Sequence, residues 1–275
     1  MSAHASFSAS VSKREEVVSF LGMELYPKTL EELTSLVQLA ISLGRKTLIA
    51  NHNLHSLYLF HRDRELRDFY RRSQWTHIDG MPLVAIAKFY GYRLRREHRV
   101  TYADWTGPLM ATAAREGWRV FYLGSAPGVA DRGAEILADH YPELNIRARH
   151  GFFSIATDSA ENNEVLQSIA EFKPHLLLVG MGMPRQELWI HRNFDRICAN
   201  VILPSGAAMD YIAGAIPTPP RWAGNLGLEW AFRLAAEPRR LFGRYLVEPW
   251  FIAVWLIRDL LRRFFRPNYP RTLEE

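Results

Sequence analysis

A single cysteine in 275 residues leaves no internal disulfide to form, which excludes a covalently stapled extracellular scaffold. That residue, Cys198, stands in RICANVILP and reads as a reduced, buried thiol of a cytosolic protein. The opening MSAHASFSAS has no apolar core of the kind a secretory signal needs, and residues 1–15 read as a flexible lead-in. No P-loop with a Lys-Ser/Thr ending occurs, and no G-x-G-x-x-G stretch has its third glycine. A D-x-D pair, which would hold a divalent ion beside a diphosphate, is also missing. Lysine is absent from Arg221 onward, where ten Arg against six acidic residues leave +4 of the chain's net +5. The longest apolar run of that tail, Trp250 to Ile257, is eight residues, against the ~20 a spanning helix needs. There is no internal repeat and no low-complexity tract.

What is present is an ordinary globular balance, 48% hydrophobic and 23% charged, with enough length for a sizeable core in one or two domains. β-rich runs alternate with helical periods, the pattern of a parallel sheet wrapped by helices. Strands are predicted at KTLIA, QWTHID, RVFYLG, NIRAR, HLLLVGMG and NVILPSG. TLEELTSLVQLAISLG carries helix start and stop signals, and PGVADRGAEILADHY and ENNEVLQSIAEFK repeat the pattern. The alternation ends where three prolines fall between Pro217 and Pro220, a hinge or ordered loop. Beyond it the sequence reads as helices, with boundaries at Glu237-Pro238 and Glu248-Pro249. The expected organisation is an α/β body over residues 16–216, Rossmann-like with a mostly parallel sheet, followed by a basic helical appendage over 217–275.

Ligands of such sheets bind beyond the carboxyl ends of the strands, so those ends hold the candidate chemistry. Gly124 and Gly128 in LGSAPGVA, and Gly180 and Gly182 in VGMGMPRQE, stand where backbone N–H groups can meet a diphosphate; both stretches read equally as structural turns. His52 and His55 lack a third partner for a metal and read as polar histidines at a pocket rim. Asp79, at the end of WTHID before Gly80, is either a helix cap or an acid/base group.

Taken together, the strand ends resemble the WecG/TagA/CpsF glycosyltransferases, glycosyltransferase family 26, in order from about Asn51 to Tyr245. NHNLHSLYLFHRD resembles the family's T-x-N segment, DGMPLV its Asp-Gly motif and VFYLGSAPGVA its Gly-rich loop. GMGMPRQELWI resembles G-x-G-x-P-(K/R)-Q-E, the most distinctive of the set. GAAMDYIAG and GLEWAFRLAAEPRRLFGRYL complete the match. Three positions depart from the pattern: Asn51 replaces a Thr, Tyr102 replaces a Gly, and Thr218-Pro219-Pro220 replaces Arg-Ala-Pro.

The resemblance implies an inverting, metal-independent enzyme that moves a sugar from a UDP-sugar to an undecaprenyl-diphosphate-linked saccharide for an exopolysaccharide or cell-surface glycan. Family donors are N-acetylmannosamine, its uronic acid, glucose and galactose. Asp79 becomes the implied general base. Asn51, Asn53, Gly80, Thr101, Asp104, Gly124, Gly128, Gly182, Gln186, Glu187 and Asp210 become implied substrate-binding residues, with Arg233, Arg240 and Arg244 of the appendage meeting the leaving group. No metal ligand and no cofactor is assigned. In the tail, Trp250, Phe251, Trp255, Phe264 and Phe265 mix with Arg258, Arg262, Arg263 and Arg266, the composition of a helix lying on an anionic membrane surface, the alternative being a helix that packs on the body or on another subunit. The expected location is therefore cytoplasmic, peripheral on the inner face of the cytoplasmic membrane, with no nucleic-acid partner; monomer and homo-oligomer both stay open. Two rival readings are a nucleotide-dependent oxidoreductase on a Rossmann-like body and a non-enzymatic membrane-associated scaffold.

Overall fold

A computed structural model describes residues 17–217 and 229–265. The lead-in expected over 1–15, the Thr218-Pro219-Pro220 departure, Arg266 and the side chains of Arg240, Arg263 and Phe264 lie outside the described residues. The strands are β1 (Val18–Phe20), β2 (Met23–Leu25), β3 (Thr47–His52), β4 (Trp75–Ile78), β5 (Arg119–Gly124), β6 (Asn145–Arg149), β7 (Leu176–Gly180) and β8 (Val201–Pro204). The helices of the body are α1 (Leu30–Ser42), α2 (Leu54–Arg62), α3 (Arg64–Arg72), α4 (Met81–Phe89), α5 (Tyr102–Arg115), α6 (Val129–His140), α7 (Ala160–Phe172), α8 (Arg185–Asn193) and α9 (Ala208–Ile212). Three more follow in the tail: α10 (Glu229–Ala236), α11 (Pro238–Phe242) and α12 (Glu248–Phe265), the last two joined by a π-helical turn, Gly243–Val247.

Strands β3 to β8 form one sheet in the order β4-β3-β8-β7-β5-β6, every pair parallel. Side chains of a strand alternate between faces, and here both faces are covered. Val120 and Tyr122 join one apolar cluster, with Trp105, Leu109 and Ala113 of α5. Phe121 and Leu123 join the other, with Trp189 and Ile190 of α8. This two-sided burial is why β7 and β8 read as unbroken apolar runs, whereas the edge strand β6, NIRAR, is partly exposed and largely polar. β1 and β2 pair separately as an antiparallel hairpin through Leu21 and Gly22, both at positive φ, which the sequence pattern does not announce.

Cys198 is exposed, not buried as its apolar setting suggests. It lies in the turn before β8, where the neighbouring Ile197 takes the interior position and leaves the thiol outside.

The tail helices dock on the body. Ile252 of α12 is buried in the cluster that holds Trp189, and Trp255 and Leu256 pack against it. Glu248 meets His55 Nδ1 at 2.7 Å, and Tyr90 donates to Asp259 at 2.6 Å. Trp255 therefore faces the body, stacked near Tyr58 and His61, and leaves the set expected at a lipid surface. Trp250, Val254, Ile257, Leu261 and Phe265 recur every three or four residues and stand exposed, an apolar stripe on the outer side of α12. No helix among the described residues is long and apolar enough to cross a membrane.

The tightest point of the sheet is the pairing of Gly124 with Gly180 at the ends of β5 and β7. A Cβ on Gly124 would meet the Gly180 carbonyl and stand 2.7 Å from its Cα, and backbone has no rotamer by which to yield. Gly124→Ala should cost about 3 kcal/mol or more in chemical denaturation, the upper range of overpacking. Gly107→Ala, inside α5 with Tyr141 Oη at an ordinary 3.7 Å, should be neutral or gain up to about 1 kcal/mol. Equal effects of the two would refute this account of Gly124.

Candidate active site

Parallel strands bring their carboxyl ends to one edge, and an open cleft of about 1960 Å³ runs along it. Pockets for one small ligand usually take about 300–1,000 Å³, so this cleft is larger than one small ligand requires. Asn51, Asn53, Asp79, Thr101, Asp104, Gly182, Gln186, Asp210, Arg233 and Arg244 all line this cleft. Residues as far apart as 51 and 244 are thus brought together.

Asp79 follows β4 directly. The residue capping α4 is Gly80, with φ 137° and no side-chain capping bond, so the carboxylate is free of cap duty. Instead Asn51 Nδ2 donates to Asp79 Oδ2 at 3.1 Å and Asn53 Nδ2 to the same oxygen at 3.4 Å. Asn53 is itself held as the N-cap of α2, accepting from Ser56 N at 3.0 Å. Both amides engage Oδ2, and no side chain among the described residues hydrogen-bonds Oδ1. Burial raises the Asp79 pKa above the ordinary carboxylate value, opposed by the Asn53 hydrogen bond and by the charges of Arg99, Arg244 and Arg233. This environment is suited to a carboxylate that must take up a proton.

At one side of the cleft, Thr101 caps α5 and its hydroxyl donates to Asp104 at 2.8 Å, while Arg99 reaches the same carboxylate at 3.1 Å. Arg99 is a site residue the sequence reading passes over, because nothing in RVT marks it before the fold turns it toward Asp79. Arg185 is another. It donates to the Gly151 carbonyl at 3.1 Å and to that of Phe153, holding the loop after β6 against the cleft.

Several expected roles change. The Gly182 N–H is taken by Gln186 Oε1 at 3.2 Å, not left for a diphosphate, because the side chain four residues on folds back over the turn. Gly80, Gly124 and Gly128 shape the backbone without lining the cleft. Glu187 does not line it either: it is 0% exposed beneath the floor, its Oε1 accepting from Gln186 Nε2 at 2.8 Å. His52 is not at a pocket rim but in the core, stacked on Tyr70 with centroids 3.7 Å apart and bonded to Ser56, and burial lowers its pKa to about 3. His55 is turned to Glu248 of α12. Among the described residues no group of three or more His, Cys, Asp or Glu is placed to hold a metal ion.

Burial raises the Glu187 pKa to about 7, against the lowering effect of the Gln186 hydrogen bond. A carboxyl that is harder to ionise when folded contributes full stability below its ordinary value of 4.5 and loses it as pH rises through 7. Gln at this position has no proton to lose. Glu187→Gln should therefore be more stable than wild type at pH 8, by an amount on the order of 3 kcal/mol, and equal to it at pH 4. Denaturation midpoints at the two pH values decide this, and a gain that does not grow with pH would refute the assignment.

The family model described as Glycosyl transferase WecG/TagA/CpsF family matches residues 18–266, from the β1 hairpin to the end of α12. Similar curated proteins come from Staphylococcus aureus strains NCTC 8325 / PS 47, COL and MSSA476. Each is named N-acetylglucosaminyldiphosphoundecaprenol N-acetyl-beta-D-mannosaminyltransferase, and each is 25% identical over 219 residues, covering 75% of this chain and 82% of the relative. The family match takes in both the sheet whose ends carry Asp79 and the tail helices that bring Arg233 and Arg244 to it; the chain belongs to the WecG/TagA/CpsF family of glycosyl transferases.

Proposed function

We propose that this glycosyltransferase moves a sugar from a UDP-sugar to an undecaprenyl-diphosphate-linked saccharide, with inversion and with Asp79 as general base. The observation that carries the reading is the Asp79 carboxylate in the cleft, with one oxygen held by two asparagine amides and the other not engaged by any side chain among the described residues. The acceptor hydroxyl attacks the anomeric carbon as Asp79 Oδ1 takes its proton. The bond from that carbon to the diphosphate breaks on the opposite side, and UDP departs. Arg233 and Arg244, both lining the cleft, meet the charge that develops on the leaving diphosphate. The names of the relatives make N-acetylmannosamine the first donor to test and N-acetylglucosaminyl-diphosphoundecaprenol the first acceptor.

Asp79→Asn keeps an oxygen for both asparagine amides but loses basicity. It should retain fold and UDP affinity while transfer falls about 10²–10⁴-fold. Turnover measured with UDP-N-acetylmannosamine and a short-chain acceptor tests this; near-normal transfer by the variant would remove Asp79 from the role.

In this reading the body over 16–216 carries the base, and the appendage over 217–275 supplies the arginines and seats the enzyme on the inner face of the cytoplasmic membrane. Support comes from the two sides of α12. One packs on the body through Ile252, and the other exposes Trp250, Ile257 and Leu261, with Arg258 and Arg262 also exposed. An undecaprenyl-linked acceptor stays in the bilayer, so an enzyme lying on that surface meets its head group. Replacing Trp250, Ile257 and Leu261 together by Asp changes only exposed positions. The variant should keep its melting temperature and its activity on soluble short-chain acceptors, and stop sedimenting with anionic vesicles. Wild-type binding should weaken with salt, since each Arg near an anionic surface adds about 1 kcal/mol. Unchanged vesicle binding by the triple variant would overturn the membrane role of this stripe.

A further inference from the structure

Gln186 and Glu187 open α8, directly after the turn that leaves β7. Both are buried, at 2% and 0% exposure, and a carboxyl in the interior is costly unless its place is set by a specific partner. Among the described residues the one side-chain partner of the Glu187 carboxyl is Gln186, whose Nε2 donates to Oε1 at 2.8 Å. The second oxygen, Oε2, has no partner there.

The other end of the Gln186 amide explains the pair. Oε1 accepts the Gly182 N–H at 3.2 Å and the Gly206 N–H at 3.2 Å. Gly182 lies in the loop after β7 and Gly206 in the loop after β8, and both are left-handed, with φ of 77° and 56°. One amide oxygen thus stitches together the loops of two adjacent strands, and both loops line the cleft. An amide is almost the same shape when flipped, but a flipped Gln186 would turn its N–H₂ against two backbone N–H groups. The acceptor on the far side decides the orientation: with Nε2 bonded to Glu187 Oε1, only the oxygen can face the glycines.

We propose that Glu187 is a positioning residue for the transfer reaction: by fixing the Gln186 amide it holds the Gly182 and Gly206 loops at one spacing along the cleft. It touches no substrate. Its effect on the reaction rests on the transferase reading above, whereas its effect on the two loops does not. Either protonation state of Glu187 can accept the Gln186 N–H through Oε1, so the stitch survives the titration of that carboxyl.

The test uses the full chain and four variants, E187Q, E187M, Q186E and Q186E/E187Q. The readouts are hydrogen exchange of the Gly182 and Gly206 amides by NMR, and KM and kcat with UDP-N-acetylmannosamine. In E187Q the new amide still offers Oε1, so both glycine amides should stay protected and donor KM should stay within about threefold of wild type. In E187M the acceptor is gone. Exchange at Gly182 and Gly206 should rise about tenfold or more, with strand amides such as Leu178 unchanged, and donor KM should rise about tenfold, as expected when a site loosens. Measured well above pH 7, where Glu187 has no proton to share, Q186E sets two carboxylates against each other and should show the same loosening. Q186E/E187Q exchanges the partners: the carboxylate, now at position 186, accepts from both glycines and from the amide, now at position 187, which should restore protection and KM. If E187M fails to fold, the comparison of Q186E with the double exchange decides alone. A double variant no better than Q186E overturns the proposal, and so does the predicted exchange pattern with KM and kcat unchanged throughout. A wild-type chain that transfers nothing would sink the transferase reading instead, and the exchange profiles would still decide the stitch.

Discussion

Every strand of the large sheet runs in the same direction, and the rest of the molecule follows from that constraint. Parallel strands need helical crossovers, crossovers cover both faces, and covered faces bury every position of β3, β7 and β8, with apolar residues throughout β7 and β8. The same geometry delivers every strand-to-helix turn to one edge. Asn51, Asp79, Ser205 and Gly206 therefore stand side by side although their strands are scattered along the chain. Close approach at that edge has its own requirement, met by Gly124 against Gly180.

Two acidic side chains near the cleft divide their work by environment. Asp79 and Glu187 are both raised by burial, but what opposes it differs. Asp79 has two side-chain amides and the field of three arginines, and it lines the open cleft. Glu187 has one side-chain amide, its own backbone N–H and the charge of Arg244, and no opening. Its chemistry is spent on the orientation of Gln186, which in turn consumes the glycine N–H groups that a glycine-rich turn would otherwise present to phosphate. Those two donors are engaged inside the protein, and Arg99, Arg233 and Arg244 are among the cationic side chains that line the cleft. Two of these come from the tail, so the tail helices supply part of the cleft lining.

The tail helices answer to two surfaces at once. Helical spacing puts Ile252, Trp255 and Leu256 on the body side of α12 and Trp250, Val254, Ile257, Leu261 and Phe265 on the outside. Composition reports only that the segment is aromatic and basic. Which aromatic faces protein and which faces outward depends on where the polar latches fall, His55 to Glu248 and Tyr90 to Asp259.

By itself the sequence determined the six strands of the sheet: β7 and β8 are written as apolar runs by two-sided burial, while the edge strand β6, NIRAR, is largely polar and partly exposed and was marked by its place in the alternation with helices. It also determined the helical character of the tail, through proline positions that suit a first helical turn. Much of the cleft lining was legible, because ligands of a parallel sheet meet its strand ends and those ends carry Asp, Asn, Gln and Gly. The β1–β2 hairpin was not, since three-residue strands carry no period. Nor were the interior place of His52 or the approach of Arg99, which depend on neighbours distant in the chain, or the outward turn of Cys198, where the adjacent Ile197 takes the interior position. The choice between cap and working carboxylate at Asp79 was open in one dimension, as either role suits an acid before a helix. Tertiary structure decided against the cap: the asparagine amides of β3 and of the α2 cap reach the carboxylate only after two parallel strands have been laid side by side.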